Sequence, residues 1–283
     1  MIDLHSHTNE SDGTFTPGEL VQLATELRLE ALAISDHDTF AGFDQALPEA
    51  QSRGLDLVCG VELSTRVPGS KVRTVHLLAY FLHQPPPTDF RAWLDELISG
   101  RRDRNRRLIA SLREQGIDID LPEVEKLGRT LTGRPHFARI LIQKGYVSSY
   151  EEAFRRYLGE TAPTYVERFA PFVVAAIQRV IDSGGLPVLA HPVRLGFRDL
   201  EAEEKFIGEL RDAGLVGIEV FHSDHRPADV ERYSGLARKY NLAASGGSDF
   251  HGDVKPQIEL GTGYHGNLNI PKSVLDHLRG IAA

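Results

Sequence analysis

Seven of the twelve histidines in this 283-residue chain stand within or just past strand-like runs, and that placement limits the fold more than any other feature. Short β-type runs occur at 2–7, 31–37, 55–63, 72–81, 186–191, 216–222 and 242–249. His5 and His7 alternate on the first run, so their side chains leave the same face, and Asp12 follows within one loop. Ser35-Asp36-His37-Asp38 ends the second run and Glu62 the third, while His76 lies within the fourth. Ala190-His191-Pro192 ends the fifth, His222 the sixth, and Ser248-Asp249-Phe250-His251 the seventh. Amphipathic helical patterns at 17–27, 171–183, 201–213 and 228–240 separate many of these runs, and Gly54, Gly184 and Gly214 sit where C-caps belong. Strand, helix, strand alternation predicts parallel pairing, and a barrel of parallel strands brings the C-terminal ends to one mouth.

Residues 89–165 break the rhythm with helical patterns at 89–115, 122–128, 136–145 and 150–157. The division this predicts is a barrel made of 1–88 and 166–283, with 89–165 as a helical subdomain inserted over the mouth. Cys59 is the single cysteine, which excludes an internal disulfide or a cysteine-based zinc module. Acidic residues outnumber basic ones by 40 to 32, an unsuitable balance for gripping duplex DNA through bulk charge. No apolar run approaches the ~18 residues of a membrane span. Met1 leads into Ile2-Asp3-Leu4-His5 with neither a basic nor an apolar leader region, so the expected location is cytoplasmic. Oligomeric state is not encoded in any visible pattern.

Six imidazoles (His5, His7, His37, His76, His191, His251) and three carboxylates (Asp12, Glu62, Asp249) at one mouth could not be an apolar core, because each would be desolvated without compensation. A metal cluster resolves the conflict. Nitrogen and oxygen donors without sulfur suit zinc, manganese or iron, and nine ligands exceed what one catalytic ion takes, so two to three divalent ions are expected.

The segments His5-Ser6-His7 with Ser11-Asp12-Gly13, Ser35-Asp36-His37-Asp38-Thr39, Gly60-Val61-Glu62, Ala190-His191-Pro192 and Ser248-Asp249-Phe250-His251 resemble, in order, the motifs of the PHP (polymerase and histidinol phosphatase) superfamily. The insertion with Gly133-Arg134-Pro135-His136-Phe137-Ala138-Arg139 is similar to the stand-alone branch containing nucleoside 3′,5′-bisphosphate phosphatases and 5′ to 3′ exoribonucleases. The resemblance implies a distorted (β/α)7 TIM-like barrel, a trinuclear metal site and phosphoester hydrolysis. It also implies the ligand sets: His5, His7, Glu62 and Asp249 for one ion; bridging Glu62 with His76 and His191 for a second; Asp12, His37 and His251 for a third. If the third set is partly vacant, Asp12 and His37 face the substrate phosphate. Asp12, His37, Glu62, His191 and Asp249 are the expected catalytic group. Ions so held would supply hydroxide near neutral pH, grip the phosphoryl oxygens and stabilise the leaving alkoxide.

Arg101-Arg102-Asp103-Arg104-Asn105-Arg106-Arg107 opens a helical run near the mouth. Only one helix face can line the cleft, which selects Arg101 and Arg104 as phosphate contacts. Arg134 and His136, on a Gly/Pro loop, are expected to complete a second anion site, with Arg194 and His222 facing the mouth. The foremost expectation is hydrolysis of the 3′-phosphate of nucleoside 3′,5′-bisphosphates, or 5′ to 3′ cleavage of short RNA. A histidinol-phosphatase-like enzyme, a C–N or C–O amidohydrolase and a non-catalytic module remain alternatives.

Overall fold

The computed structural model describes residues 1–69, 74–167 and 169–282. Seven strands form one sheet in sequence order: β1 (Ile2–Asp3), β2 (Ala31–Ile34), β3 (Asp56–Arg66), β4 (Thr74–Phe81), β5 (Leu186–Leu189), β6 (Gly217–His222) and β7 (Ala243–Gly247). The amides of Leu4 and Asp249 reach the carbonyls of Gly246 (3.1 Å) and His5 (2.8 Å), and Ser6 bridges to Phe250, which draws the first strand onto the last. The result is a nearly closed α/β barrel.

The pairing is not parallel throughout. β3–β4 and β4–β5 are antiparallel and the other four neighbouring pairs are parallel. Only seven residues, too few for a crossover helix, separate β3 from β4, so β4 returns along its neighbour. Its N-terminal end therefore reaches the mouth, and His76, its third residue, arrives there from the opposite direction. Residues 72 and 73 of the expected fourth run lie outside the described residues. The strands also stop short of the motif histidines, with ladders ending at Asp3 and Ile34 rather than at 7 and 37. Past the ladders the chain bends, and Asp38, His191 and Asp249 adopt φ of 52°, 26° and 57°, a region that non-glycine residues enter at some energetic expense.

Sequence explains the elements around the sheet. α1 (Pro17–Glu26) begins with a Thr16/Glu19 capping box and Pro17 at its first position. α2 (Ala41–Arg53) ends at Gly54, whose φ of 70° suits a residue without a Cβ. β2, reading Ala-Leu-Ala-Ile, is buried along its whole length because helices cover one face and the barrel interior fills the other. α3 (Thr88–Glu114) is 27 residues long and serves two cores. Phe90, Leu94 and Leu97 pack with Phe40, Val61 and Leu77 of the barrel, whereas Leu108, Ile109 and Leu112 join a separate cluster with Val124, Phe137 and Leu141. Each such buried side chain contributes roughly 1.5–3 kcal/mol.

That second cluster is built from α4 (Leu121–Glu125), α5 (Arg134–Gln143) and α6 (Tyr150–Ala153), the last of which runs into a π-helical turn over Phe154–Leu158. α7 (Val173–Asp182), α8 (Leu200–Asp212) and α9 (Pro227–Tyr240) return to the barrel wall, and α10 (Ser273–Ala282) closes the chain. Among the described residues, no helix is long and apolar enough to cross a membrane.

Candidate metal centre

Glu62, 1% exposed on β3, stands at the centre of the mouth. Its Oε1 lies 2.7 Å from His76 Nδ1 and 2.9 Å from His191 Nε2. Its Oε2 lies 3.2 Å from His5 Nε2, 3.1 Å from His7 Nε2 and 3.2 Å from His37 Nδ1. Asp249 Oδ1 approaches His7 Nε2 at 3.3 Å and His5 Nε2 at 3.6 Å, while Asp12 faces His251 Nε2 at 3.3 Å and His37 Nε2 at 3.6 Å. All nine residues expected as ligands thus meet in one cluster.

The donor atoms of eight of them fall into overlapping groups, His5, His7, Glu62 and Asp249; His7, Asp12, His37 and His251; and His37, Glu62 and His76, while His5 also groups with Glu219 and His222 and His191 stands in no group. His7 and His37 each belong to two groups, a sharing that strand-end spacing cannot foretell. The donor chemistry fits divalent ions. His5 Nε2, His7 Nε2 and His37 Nδ1 are buried without a hydrogen bond although carboxylate oxygens crowd them, an arrangement that cations between nitrogen and oxygen would relieve.

Two of the imidazoles are set for this role from behind. His5 Nδ1 meets Glu219 Oε1 at 3.0 Å and His251 Nδ1 meets the Asp249 carbonyl at 2.8 Å, so each donates from Nδ1 and keeps the Nε2 lone pair for the cluster. His222 is turned the other way. Its Nδ1 accepts the Asp224 amide at 3.0 Å, so the neutral ring carries its proton on Nε2, which is buried and directed toward Asp249.

The electrostatics are those of a site lacking net positive charge. Burial alone would raise the Glu62 carboxyl, but His76, His37 and His5 outweigh it and hold the group well below its ordinary value. Burial likewise opposes charging of His5 and His7, yet Glu219, Glu62 and Asp249 raise the first well above its usual range, and Asp249 and Glu62 lift the second to about 9. His37 and His191 go to about 3, driven by burial and, for His191, also by Arg194.

A cavity of about 180 Å³ opens from the cluster toward the inserted helices. Asp12, His37 and His76 form its barrel side, and Arg101, Arg104, Arg134, Phe154 and Tyr165 its far side. The candidate substrate contacts are placed unequally. Arg101 commits Nε to Asp38 Oδ2 at 2.9 Å and Nη2 to Asp38 and to Ser64 Oγ. Arg134 donates to the Leu158 carbonyl at 3.0 Å with its guanidinium 5.7 Å from the Phe154 ring and 5.9 Å from that of Tyr165. His136 is turned inward, its Nδ1 accepting the Gly133 amide at the start of α5, and it does not bound the cavity. Arg194 spends Nε on Asp224 and Nη1 on Asp249 Oδ2, both at 2.6 Å. His225 turns its Nδ1 to the Val220 carbonyl beside Tyr233, while His83, His265 and His277 are exposed.

Sequence reasoning passed over Glu219, Asp3, Asp36 and Asp38, and over Lys255, whose Nζ donates to Asp249 Oδ2 at 2.6 Å. The available signal was a lone acid inside an apolar run, as in Gly217-Ile218-Glu219-Val220, where a carboxylate has no reason to be buried without partners.

A barrel whose mouth gathers six imidazoles and three carboxylates beside an arginine-lined cavity defines a metal-dependent phosphoesterase. The chain belongs to the PHP domain family, whose model matches residues 3–118. It is 34% identical to a 3′,5′-nucleoside bisphosphate phosphatase from Chromobacterium violaceum, over 88% of this chain and 87% of that protein. It is 37% identical to a 5′-3′ exoribonuclease from Escherichia coli strain K12, over 92% and 88% respectively. Among solved structures, a Bifidobacterium adolescentis protein assigned as a metal-dependent phosphoesterase superposes with a TM-score of 0.84 at 30% identity, covering 98% of this chain and 94% of that one.

Proposed function

We propose that this enzyme hydrolyses nucleotide phosphoesters, with the 3′-phosphate of a nucleoside 3′,5′-bisphosphate as the group cleaved and short 5′-phosphorylated RNA as a second ligand of the same cleft. The observation that carries the reading is the facing of two anion-seeking surfaces across one cavity: the metal-competent cluster on one side, and Arg101, Arg104 and Arg134 on the other. Both kinds of relative described above act on substrates that carry more than one phosphate or a phosphodiester chain, which supports the same choice.

In this reading 89–165 is a cap that supplies the second pole, and two to three manganese, zinc or iron ions occupy the mouth. His5, His7, Glu62 and Asp249 would hold one ion; Glu62, His76 and His191, whose nitrogens meet the same Glu62 oxygen, a second; and Asp12, His37 and His251 a third, with His7 and His37 at the overlaps. Bound ions supply Lewis acidity and a nucleophile at neutral pH. The remaining work falls to the protein. Glu62 fixes the spacing of the cluster through both its oxygens, and Asp12 and His37, at the junction of cluster and cavity, would face the phosphate to be cleaved where the third set is partly vacant. His222 lies behind the cluster, its Nε2–H directed at Asp249 and away from the cavity, so it would steady that carboxylate rather than touch the phosphate. Arg134, stiffened between two aromatic rings, positions the distant phosphate. Arg194 works through Asp249, and His136 through the N-terminus of α5.

The test compares phosphate release from a nucleoside 3′,5′-bisphosphate, the matching mononucleotides, histidinol phosphate and a short 5′-phosphorylated oligoribonucleotide, using metal-loaded full-length enzyme. The bisphosphate and the RNA should be turned over with kcat/KM at least tenfold above any monophosphate. Equal values across the series would overturn the two-pole reading.

A further inference from the structure

Glu219 lies in the middle of β6, fully buried, on the side of the cluster away from the cavity. Its two oxygens reach two different strands. Oε1 takes the His5 Nδ1 proton at 3.0 Å, and Oε2 accepts the His191 backbone amide at 2.6 Å. His5 belongs to the chain leaving β1, and His191 to the bend leaving β5, where φ is 26°. A non-glycine residue in that conformation persists only where its surroundings hold it, and an amide pinned by a buried carboxylate is such a restraint. Both residues carry nitrogens that converge on Glu62.

We propose that Glu219 is the positioning residue of the metal centre: one carboxylate that sets the tautomer of His5 and the backbone turn of His191, and so presents two donor nitrogens from separate strands at a fixed separation. The proposal rests on the metal reading above. Glu219 is a poor ligand itself, since Oε1 and Oε2 are already occupied by N–H donors. His5 has a single alternative orientation of its proton, and only a full acceptor at Nδ1 excludes it. A glutamine at this position keeps the shape but cannot serve both partners as acceptor. With its oxygen on the His191 amide it turns an NH2 toward His5 Nδ1, which must then accept, moving the ring proton to Nε2 and removing the lone pair from the cluster.

The experiment uses full-length protein in two measurements. In zinc-loaded protein carrying 15N-labelled histidine, wild-type His5 should show a slowly exchanging proton on Nδ1 and a metal-bound Nε2. Metal affinity is then measured by competition with a chromogenic chelator for wild type, Glu219→Gln and Glu219→Asp. Glu219→Gln should lose the His5 Nδ1 proton signal and bind zinc about ten- to a hundredfold more weakly, while Glu219→Asp, which keeps two acceptor oxygens, should retain the tautomer and lose less. Wild-type His5 protonated on Nε2 would overturn the proposal without any variant, as would Glu219→Gln binding zinc as tightly as wild type. If wild type itself bound no zinc, the metal reading would fail instead, and the two failures are told apart by that control.

Discussion

Replacing Glu62 by glutamine should be the most damaging single conservative change in the chain. Five imidazole nitrogens, from His5, His7, His37, His76 and His191, lie within 3.2 Å of its two oxygens. Glutamine has the same shape but removes the charge and turns one oxygen into an NH2 that faces nitrogens needing their lone pairs. A charge-assisted contact is worth roughly 1.5–3 kcal/mol. Losing two of them at about 2 kcal/mol each removes about 4 kcal/mol, or roughly three powers of ten in kcat/KM. The assay is phosphate release at saturating metal, with bound metal measured on the same sample by elemental analysis and folding checked by circular dichroism. A variant that keeps its fold and full metal content yet retains more than about a tenth of wild-type kcat/KM would refute the argument, because the bridge would then lie on another carboxylate.

Three further outcomes are expected. A strong chelator should abolish turnover and lower Tm by several degrees, since metal present at a hundred times its Kd contributes about 2.7 kcal/mol, and adding manganese or zinc should restore both; activity that survives chelation with less than one ion per chain would sink the metal centre. Arg134→Ala should reduce kcat/KM for a nucleoside 3′,5′-bisphosphate about ten- to a hundredfold while leaving metal content and mononucleotide turnover near wild type, whereas equal losses on both substrates would move Arg134 to the reacting phosphate. Arg101→Ala should act on stability as well as on catalysis, because it takes the guanidinium from the buried Asp38 carboxylate, a loss of about 3–5 kcal/mol for a broken buried pair; a denaturation midpoint unchanged from wild type would show that the remaining partners of Asp38 suffice to hold it.

Much of this molecule is readable from its residues because the mouth obeys a simple rule: polar metal-seeking side chains at the ends of apolar runs have nowhere else to be. The nine clustered residues and the barrel follow from that rule. Strand direction does not, because nothing in an eight-residue apolar run such as Thr74–Phe81 marks which way it travels; only the shortness of the connection before it hints at a hairpin. The arginine cluster was harder still. Helical periodicity places Arg101 and Arg104 on one face, but it is the buried Asp38, from a different motif, that decides how Arg101 spends its donors. His136 shows the same limit, since a histidine three residues past a glycine can cap a helix or face a cleft, and here it caps.

The acids beside the histidines account for why the strands end where they do. Asp3 holds the amides of His5 (3.1 Å), Ser248 (2.9 Å) and Gly261 (2.8 Å). Asp36 holds the Thr8 amide (2.7 Å) and the Ser11 hydroxyl (2.5 Å), which fixes the loop carrying Asp12. Asp38, at φ 52°, accepts the Ser64 amide at 2.9 Å and pairs with Arg101. Glu219 joins His5 to His191. Each carboxylate links a bend that carries a cluster residue to a neighbouring strand or to α3, and each is buried, so it is costly unless its acceptors are filled. Unlike Glu62 and His76, which stay within the β3–β4 ladder, the residues on these bends lie past the ladder ends and have no ladder hydrogen bonds to hold them. The acidic partners replace the missing ladder. They also explain why Asp36 and Asp38 flank His37 in the sequence without joining its ligand group: the motif encodes one donor to the cluster and two restraints that aim it.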